Sequence, residues 1–401
     1  MKSEATEGLC LYNADIYTGY THIPHGFILI KDGVVENVYS YQRLQAYEDH
    51  HTYRMIDVGG KIICPGFIDT HIHGLRGFGV EDGTPEGVAG MASVLPSYGV
   101  TAFTPTIAPM SQDDTIKAIR AVVEAPRVTR SAQILGIHME GPFISKEKRG
   151  IQREAFIRDV DIELLKEYWK VSEGEIIAMT VAPELKGMRE LVLEAERLGI
   201  TLLAGHSNAT YEQMVEGIEA GILHATHFFN AMRSMHHRDP GVVGAILIHP
   251  EISCELIADG IHVHPALVRF LVKEKSAGKI VLITDSLKPT GLPKGIYIVK
   301  GDRVTEEGGV FCRIEDGTIA GSGLTLDRGV AHMVEYGTEI LDAITMATLN
   351  PARVYHLEEQ LGTLLPGRRA DLVVCDERFH VDCTMIGGAI AYAEDSAQWN
   401  I

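Results

Sequence analysis

The stretch IICPGFIDTHIH, residues 62–73, decides how this chain is read. Its apolar run predicts a buried strand, and Gly74 directly after it opens a loop. His71 and His73 are two residues apart, so in a strand both imidazoles point to the same side. Alone, an HxH pair is a weak signal, because two surface histidines look the same. Here the pair stands where strand becomes loop. Seven further apolar runs follow, VTAFTPTI (100–107), QILGIHME (133–140), IIAMTVAPE (176–184), ITLLAGHS (200–207), HATHFFN (224–230), SCELIADGIH (253–262) and KIVLITDS (279–286). Between them lie helical patterns such as ELKGMRELVLEAERLG, whose Leu185, Met188, Leu191, Val192 and Leu198 recur at roughly helical spacing. Eight strand-helix units predict an α/β fold, a closed (β/α)8 TIM-like barrel.

The flanks differ from this core. Residues 8–61 contain short alternating strands broken by KDG and VGG, and the chain after 361 does the same around LPGRRADLVVCD. The reading is three segments: 1–61 and 361–401 as the two parts of a small β-sandwich domain, and 62–360 as the catalytic barrel. A glycine-rich insertion at about 287–322 predicts a hairpin excursion before the last helix.

In such a barrel the carboxyl ends of the strands carry the active site. His71 and His73 end the first run, and Glu140, His206, His227 and Asp285 end the third, fifth, sixth and eighth. Imidazoles mixed with carboxylates suit zinc, iron or another divalent transition ion, and the set is rich enough for one or two. Glu140 precedes the tight turn Gly141-Pro142, which favours a fixed carboxylate over a solvated one. His138 is expected to face the same side but deeper, in a supporting role. Asp285 is expected to transfer protons rather than merely cap a turn. His22, His25, His50, His51, His249 and His356 fall in flanks, loops or helix ends and are expected to be structural, as is His264, whereas His236 and His237 adjoin Arg238.

Composition limits the partners. The 401 residues carry a net charge of −18 with 45% hydrophobic content, which disfavours nucleic acid or a membrane surface as a partner. One arginine can still hold an anionic small molecule, since salt screens distant charges beyond roughly 10 Å. Six scattered cysteines with no CxxC fit a reducing compartment. The opening MKSEATEGLC has acidic residues where a signal peptide needs an apolar core, so a cytoplasmic location is expected.

Taken together the motifs PGFIDTHIHG, GVTAFTPT, HMEGPF, AGHSNA, THFFNAM, HRDPG, IADGIHVHP, ITDS, TIAGSGLTL, ATLNPAR and LGTLLPGRRADLVV resemble the amidohydrolase superfamily. Within it they resemble the N-acetylglucosamine-6-phosphate deacetylases, over nearly the whole chain. The resemblance implies that Glu140, His206 and His227 are the central metal ligands and that His71 and His73 allow a second ion. It implies Asp285 as the catalytic aspartate, and Asn230 and Ala231 as contacts to the substrate phosphate. Arg238 would reach across from a neighbouring subunit of a homodimer. His262 would lie near the sugar, and Ile319, Ala320 and Gly321 would line the acetyl pocket. One position departs from the pattern: where the family commonly has a substrate-touching histidine, KRGIQRE places Gln152. Glutamine forms hydrogen bonds but cannot become charged, which leaves open the galactosamine epimer, another amide, or a non-catalytic sugar-phosphate binder.

Overall fold

The computed structural model describes residues 8–44 and 52–399. His50, His51 and the first seven residues lie outside them. The barrel consists of eight parallel strands: Phe67–Ile72, Val100–Ile107, Ile137–Glu140, Ile176–Val181, Thr201–Ala204, His224–Ala225, Ser253–Ile257 and Ile280–Ile283. Each of the eight runs read from the sequence contains one of them. Consecutive strands pair in parallel from the first to the eighth. The ring nearly closes where the Asp285 N–H donates to the His71 carbonyl at 2.8 Å and the His73 N–H to the Ser286 carbonyl at 3.0 Å. Those two bonds lock the ends of the first and last strands together at the site.

A helix follows every strand. Met188–Leu198 shows why: its buried Met188, Leu191, Val192 and Ala195 fall at i, i+3, i+4 and i+7, the spacing of one helical face. Side chains of Thr84, Ser111, Asp161 and Thr210 cap four of the helix starts, each accepting from a backbone N–H three residues on. Strands and helices together enclose the main core, in which Phe103, Leu165, Met179, Leu191 and Leu282 are completely buried.

Both ends of the chain build a separate sheet domain. Its hydrogen-bonded order is Ala389–Ala393, Val381–Ile386, Leu372–Cys375, Ile62–Pro65, Gly8–Tyr17, His22–Lys31 and Val34–Ser40, with Tyr53–Asp57 also paired to Gly8–Tyr17. The wings meet again where the Val35 N–H donates to the Arg368 carbonyl and the Ala370 N–H to the Gly33 carbonyl. Leu11, Ile28, Ile63, Leu372 and Met385 fill the core between them.

The boundary read at residue 62 shifts. Ile62–Pro65 pairs with Leu372–Cys375 and with Asp15–Ile16, so it belongs to the terminal sheet, and the barrel begins at Phe67. Gly66 marks the crossing point because the Thr101 side chain occupies the space of a Cβ there. The insertion is more than a hairpin: Ile296–Val299, Asp302–Glu307, Val310–Arg313 and Ile319–Ser322 form a four-stranded antiparallel sheet. It leaves the barrel at Ser286 and returns at Ser322, and these two residues bridge each other.

Candidate metal centre and substrate cavity

At the carboxyl ends of the strands two groups of side chains converge. In Glu140, His206 and His227 one ligand atom of each lies within 4.8 Å of the others, and the same holds for His71, His73 and Asp285. Glu140 stands between the groups. Its Oε1 is 3.0 Å from His206 Nε2 and 3.2 Å from His227 Nε2, and its Oε2 is 3.5 Å from His73 Nε2. Asp285 Oδ1 lies 3.3 Å from His73 Nε2 and 3.6 Å from His71 Nε2.

The backbone aims these groups deliberately. His206, His227 and Asp285 take φ of 46°, 27° and 49°, a left-handed conformation that costs a non-glycine residue on the order of 1–3 kcal/mol. At the end of a strand it bends the chain sharply outward. The tertiary fold holds that strain where three separate strands end, at three of the candidate ligand positions.

The donor chemistry fits a cation. His206 Nε2 and His227 Nε2 face each other at 3.1 Å, beside the same carboxylate oxygen. His71 is completely buried, and its Nε2 has no hydrogen-bond partner. Its Nδ1 meets Glu255 Oε2 at 3.0 Å, which directs the Nε2 lone pair toward the site. His73 Nδ1 donates to the Thr106 carbonyl at 3.0 Å and His206 Nδ1 to the Lys148 carbonyl at 2.9 Å, so their Nε2 atoms are likewise the unprotonated ones. Converging lone pairs and carboxylates repel one another unless a positive charge sits among them. The six residues therefore suit a divalent ion in either group.

The titration of these side chains follows the same crowding. Burial pushes His71 down to about 3, against the attraction of Asp285 and Glu140. For His227, burial also lowers the value, but contact with Glu140 outweighs it and raises the imidazole to about 9. A proton on His227 then does what a cation does there. Burial would raise Glu140, yet its bonds to His206 and His227 hold it well below the usual carboxylate range. His73 and His71 similarly hold Asp285 low against burial.

Over these groups lies a cavity of about 290 Å³. His73, Glu140, His206, His227 and Asp285 form its floor, and Gln152, Asn230, Ala231, His262, Ile319, Ala320 and Gly321 its walls. His262 Nδ1 is 2.6 Å from Asp259 Oδ2, which fixes the ring and leaves Nε2 as its second hydrogen-bonding atom. Asn230 is braced by Nδ2, which donates to the His227 and Phe228 carbonyls. Gln152 Nε2 donates to Glu140 Oε2 at 2.7 Å. The insertion sheet delivers Ile319–Gly321 to the cavity, and Gly321 is required there because a Cβ would stand 2.9 Å from the Asp285 carbonyl.

Two expected residues stand elsewhere. His71 lies behind the cavity, beneath His73. Arg238 is exposed on the loop after Met232, its Nη1 2.8 Å from His237 Nε2, and does not line the cavity. His138 is buried with both ring nitrogens near threonine hydroxyls, Thr106 at 3.3 Å and Thr180 at 2.8 Å, and its ring packs edge-on to His71.

Sequence reasoning missed Glu255 and Lys300. Burial pushes the Glu255 carboxyl up to about 7, and its Oε2 also accepts the His227 backbone N–H at 3.2 Å. A charge inside the apolar run SCELI was the available signal. Lys300, at a turn of the insertion, brings an ammonium to the rim of the cavity.

The amidohydrolase family model matches residues 62–391. The chain belongs to the amidohydrolase family. Its relatives there include the N-acetylglucosamine-6-phosphate deacetylase of Bacillus subtilis, 33% identical over 98% of this chain and 99% of the relative. The N-acetylgalactosamine-6-phosphate deacetylase of Escherichia coli O157:H7 is 37% identical over 82% of this chain and 88% of its own. Among solved structures, a mutant N-acetyl-D-glucosamine-6-phosphate deacetylase from Mycobacterium smegmatis, in complex with N-acetyl-D-glucosamine-6-phosphate, superimposes with a TM-score of 0.89 at 28% identity. That alignment covers 96% of this amidohydrolase and all of the neighbour.

Proposed function

We propose that this amidohydrolase removes the acetyl group from N-acetylglucosamine-6-phosphate, giving glucosamine-6-phosphate and acetate in amino-sugar catabolism. The observation that carries the reading is the meeting of Asp285 with the Glu140–His206–His227 group on the floor of one sugar-sized cavity. The Bacillus subtilis relative, matched nearly end to end, supports the same substrate.

Glu140, His206 and His227 would hold one divalent ion, zinc or iron, and His71, His73 and Asp285 would hold a second. An ion held there would supply Lewis-acid chemistry, polarising the amide carbonyl and lowering the pKa of water from about 15.7 towards 7. Asp285 takes the proton of the attacking water and passes it to the departing amine. His262, fixed by Asp259, donates to the oxyanion as it develops. Asn230 and Ala231 position the phosphate, and Ile319, Ala320 and Gly321 enclose the acetyl methyl. Arg238, exposed in one subunit, completes the phosphate site of its partner in a homodimer. The reaction takes place in the cytoplasm. Among the described residues no helix is long and apolar enough to cross a membrane.

Gln152 and the Escherichia coli relative favour one second reading, deacetylation of N-acetylgalactosamine-6-phosphate. Acetate release by purified, metal-loaded protein from the two epimers decides between them. The preferred epimer is the one with the higher kcat/KM. Tight binding of both with no acetate released at any metal loading would instead mark a sugar-phosphate binder.

A further inference from the structure

The two oxygens of Glu140 have different surroundings. Oε1 belongs with His206 and His227, at 3.0 and 3.2 Å, with His71 Nε2 farther off at 3.7 Å. Oε2 faces the other group, 3.5 Å from His73 Nε2. A carboxylate placed this way can serve both groups at once, one oxygen to each. Gln152 interferes with that sharing. Its Nε2 donates to Oε2 at 2.7 Å, on the side where the second group needs electron density.

The amide orientation follows from charge. An amide oxygen turned toward Oε2 would be repelled, so the N–H must face the carboxylate and the amide Oε1 must face away. Gln152 is 4% exposed and its Oε1 is buried with no hydrogen-bond partner. Keeping that oxygen unsatisfied is unfavourable. Only a firm bond from the other end of the same amide holds the side chain there.

We infer that Gln152 is a positioning residue that sets the order and number of ions in the site. By donating to Glu140 Oε2 it withdraws charge from the oxygen that faces the second group through His73. The Glu140–His206–His227 group fills first and tightly, and the second group fills weakly. This inference rests on the metal reading of the site, not on the identity of the amide that is hydrolysed.

The test counts ions rather than turnover. Metal-free protein is equilibrated against chelator-buffered zinc, and bound zinc per chain is measured by elemental analysis for the native chain, Gln152→Leu and Gln152→Met. Both substitutions keep the approximate volume and remove the donor. Changes in outer-shell hydrogen bonds typically move metal affinity about 10–100-fold. The expected result is two separated binding steps in the native chain, with the weaker step tightened about tenfold in both variants and the stronger step changed less than about threefold. Thermal unfolding of each metal-free variant checks that it is folded, and Gln152→Met serves where Gln152→Leu does not fold. An unchanged weaker step overturns the inference while leaving the metal site intact. Equal shifts of both steps also overturn it, because they show that Gln152 only steadies Glu140. Absence of zinc from both groups overturns this inference and the metal reading together.

Discussion

Glu255→Gln gives a perturbation whose size follows from the contacts. Glu255 Oε2 receives both the His71 Nδ1–H and the His227 backbone N–H, at 3.0 and 3.2 Å. A hydrogen bond to a charged group contributes about 1.5–3 kcal/mol and one to a neutral group about 0.5–1.5. The amide oxygen of glutamine retains both geometries, so the loss at His71 is the difference, about 1–1.5 kcal/mol. That is close to tenfold in affinity for the His71 group. A second cost falls on folding. Glu255 Oε1 is buried without a partner, and an amide NH2 in its place would leave buried donors unsatisfied, at about 1–3 kcal/mol. The assays are a buffered zinc titration and urea unfolding of the metal-free protein, both run at a pH above the Glu255 value of about 7 so that its carboxyl is ionised. The expected outcome is a weakened second binding step with a lower unfolding midpoint, opposite in sign to the effect of removing the Gln152 donor. An unchanged second step alongside a lower midpoint would refute the claim that Glu255 directs the His71 lone pair.

Asp285→Asn should lower kcat by about 10²–10⁴ while the Glu140–His206–His227 ion remains bound. Single-turnover acetate release and metal analysis on one sample separate the two effects. Arg238→Ala should raise KM for the phosphorylated sugar about tenfold or more with little change in kcat. If Arg238 acts across the interface, mixing it with Asp285→Asn should restore activity through hybrid dimers. Gly321→Ala should lower stability by about 1–3 kcal/mol, because the added methyl meets the Asp285 carbonyl and Leu287 Cδ2 at 2.9 Å. Its thermal midpoint reads this directly. Removing the ions with a chelator should lower the thermal midpoint, and added zinc should restore it in proportion to its occupancy.

The parts of this fold that the sequence reveals are those where one residue type has one physical meaning. The eight strands were legible because each is an apolar run bounded by a helical pattern, and ligands ending several of them marked the catalytic face. In the sequence the segment 62–73 looks like one strand, because periodicity does not register which sheet a strand joins. The split at Gly66 depends on Thr101, distant in sequence. The insertion was legible as turn-rich, but its four strands are amphipathic only against Leu287 and Ile151, partners fixed by the tertiary fold. Twelve of the fourteen expected site residues share the cavity, because strand-end positions in a barrel converge whatever lies between them. Glu255 escaped because a carboxylate inside a strand has no spacing of its own. Its meaning comes from the His71 ring that it faces across the barrel.

The bridge between Ser286 and Ser322 makes the insertion a detachable cassette. The chain departs and returns through neighbouring points, so residues 287–321 can change in length and composition while the strand ends stay in register. Every candidate metal ligand precedes the cassette, whereas the wall made by Ile319–Gly321 lies within it. That one wall and the candidate metal ligands thus lie on separate stretches of chain. Divergence can reshape that wall, or chimeras can exchange it, while the chain still leaves and rejoins the barrel at the same two serines.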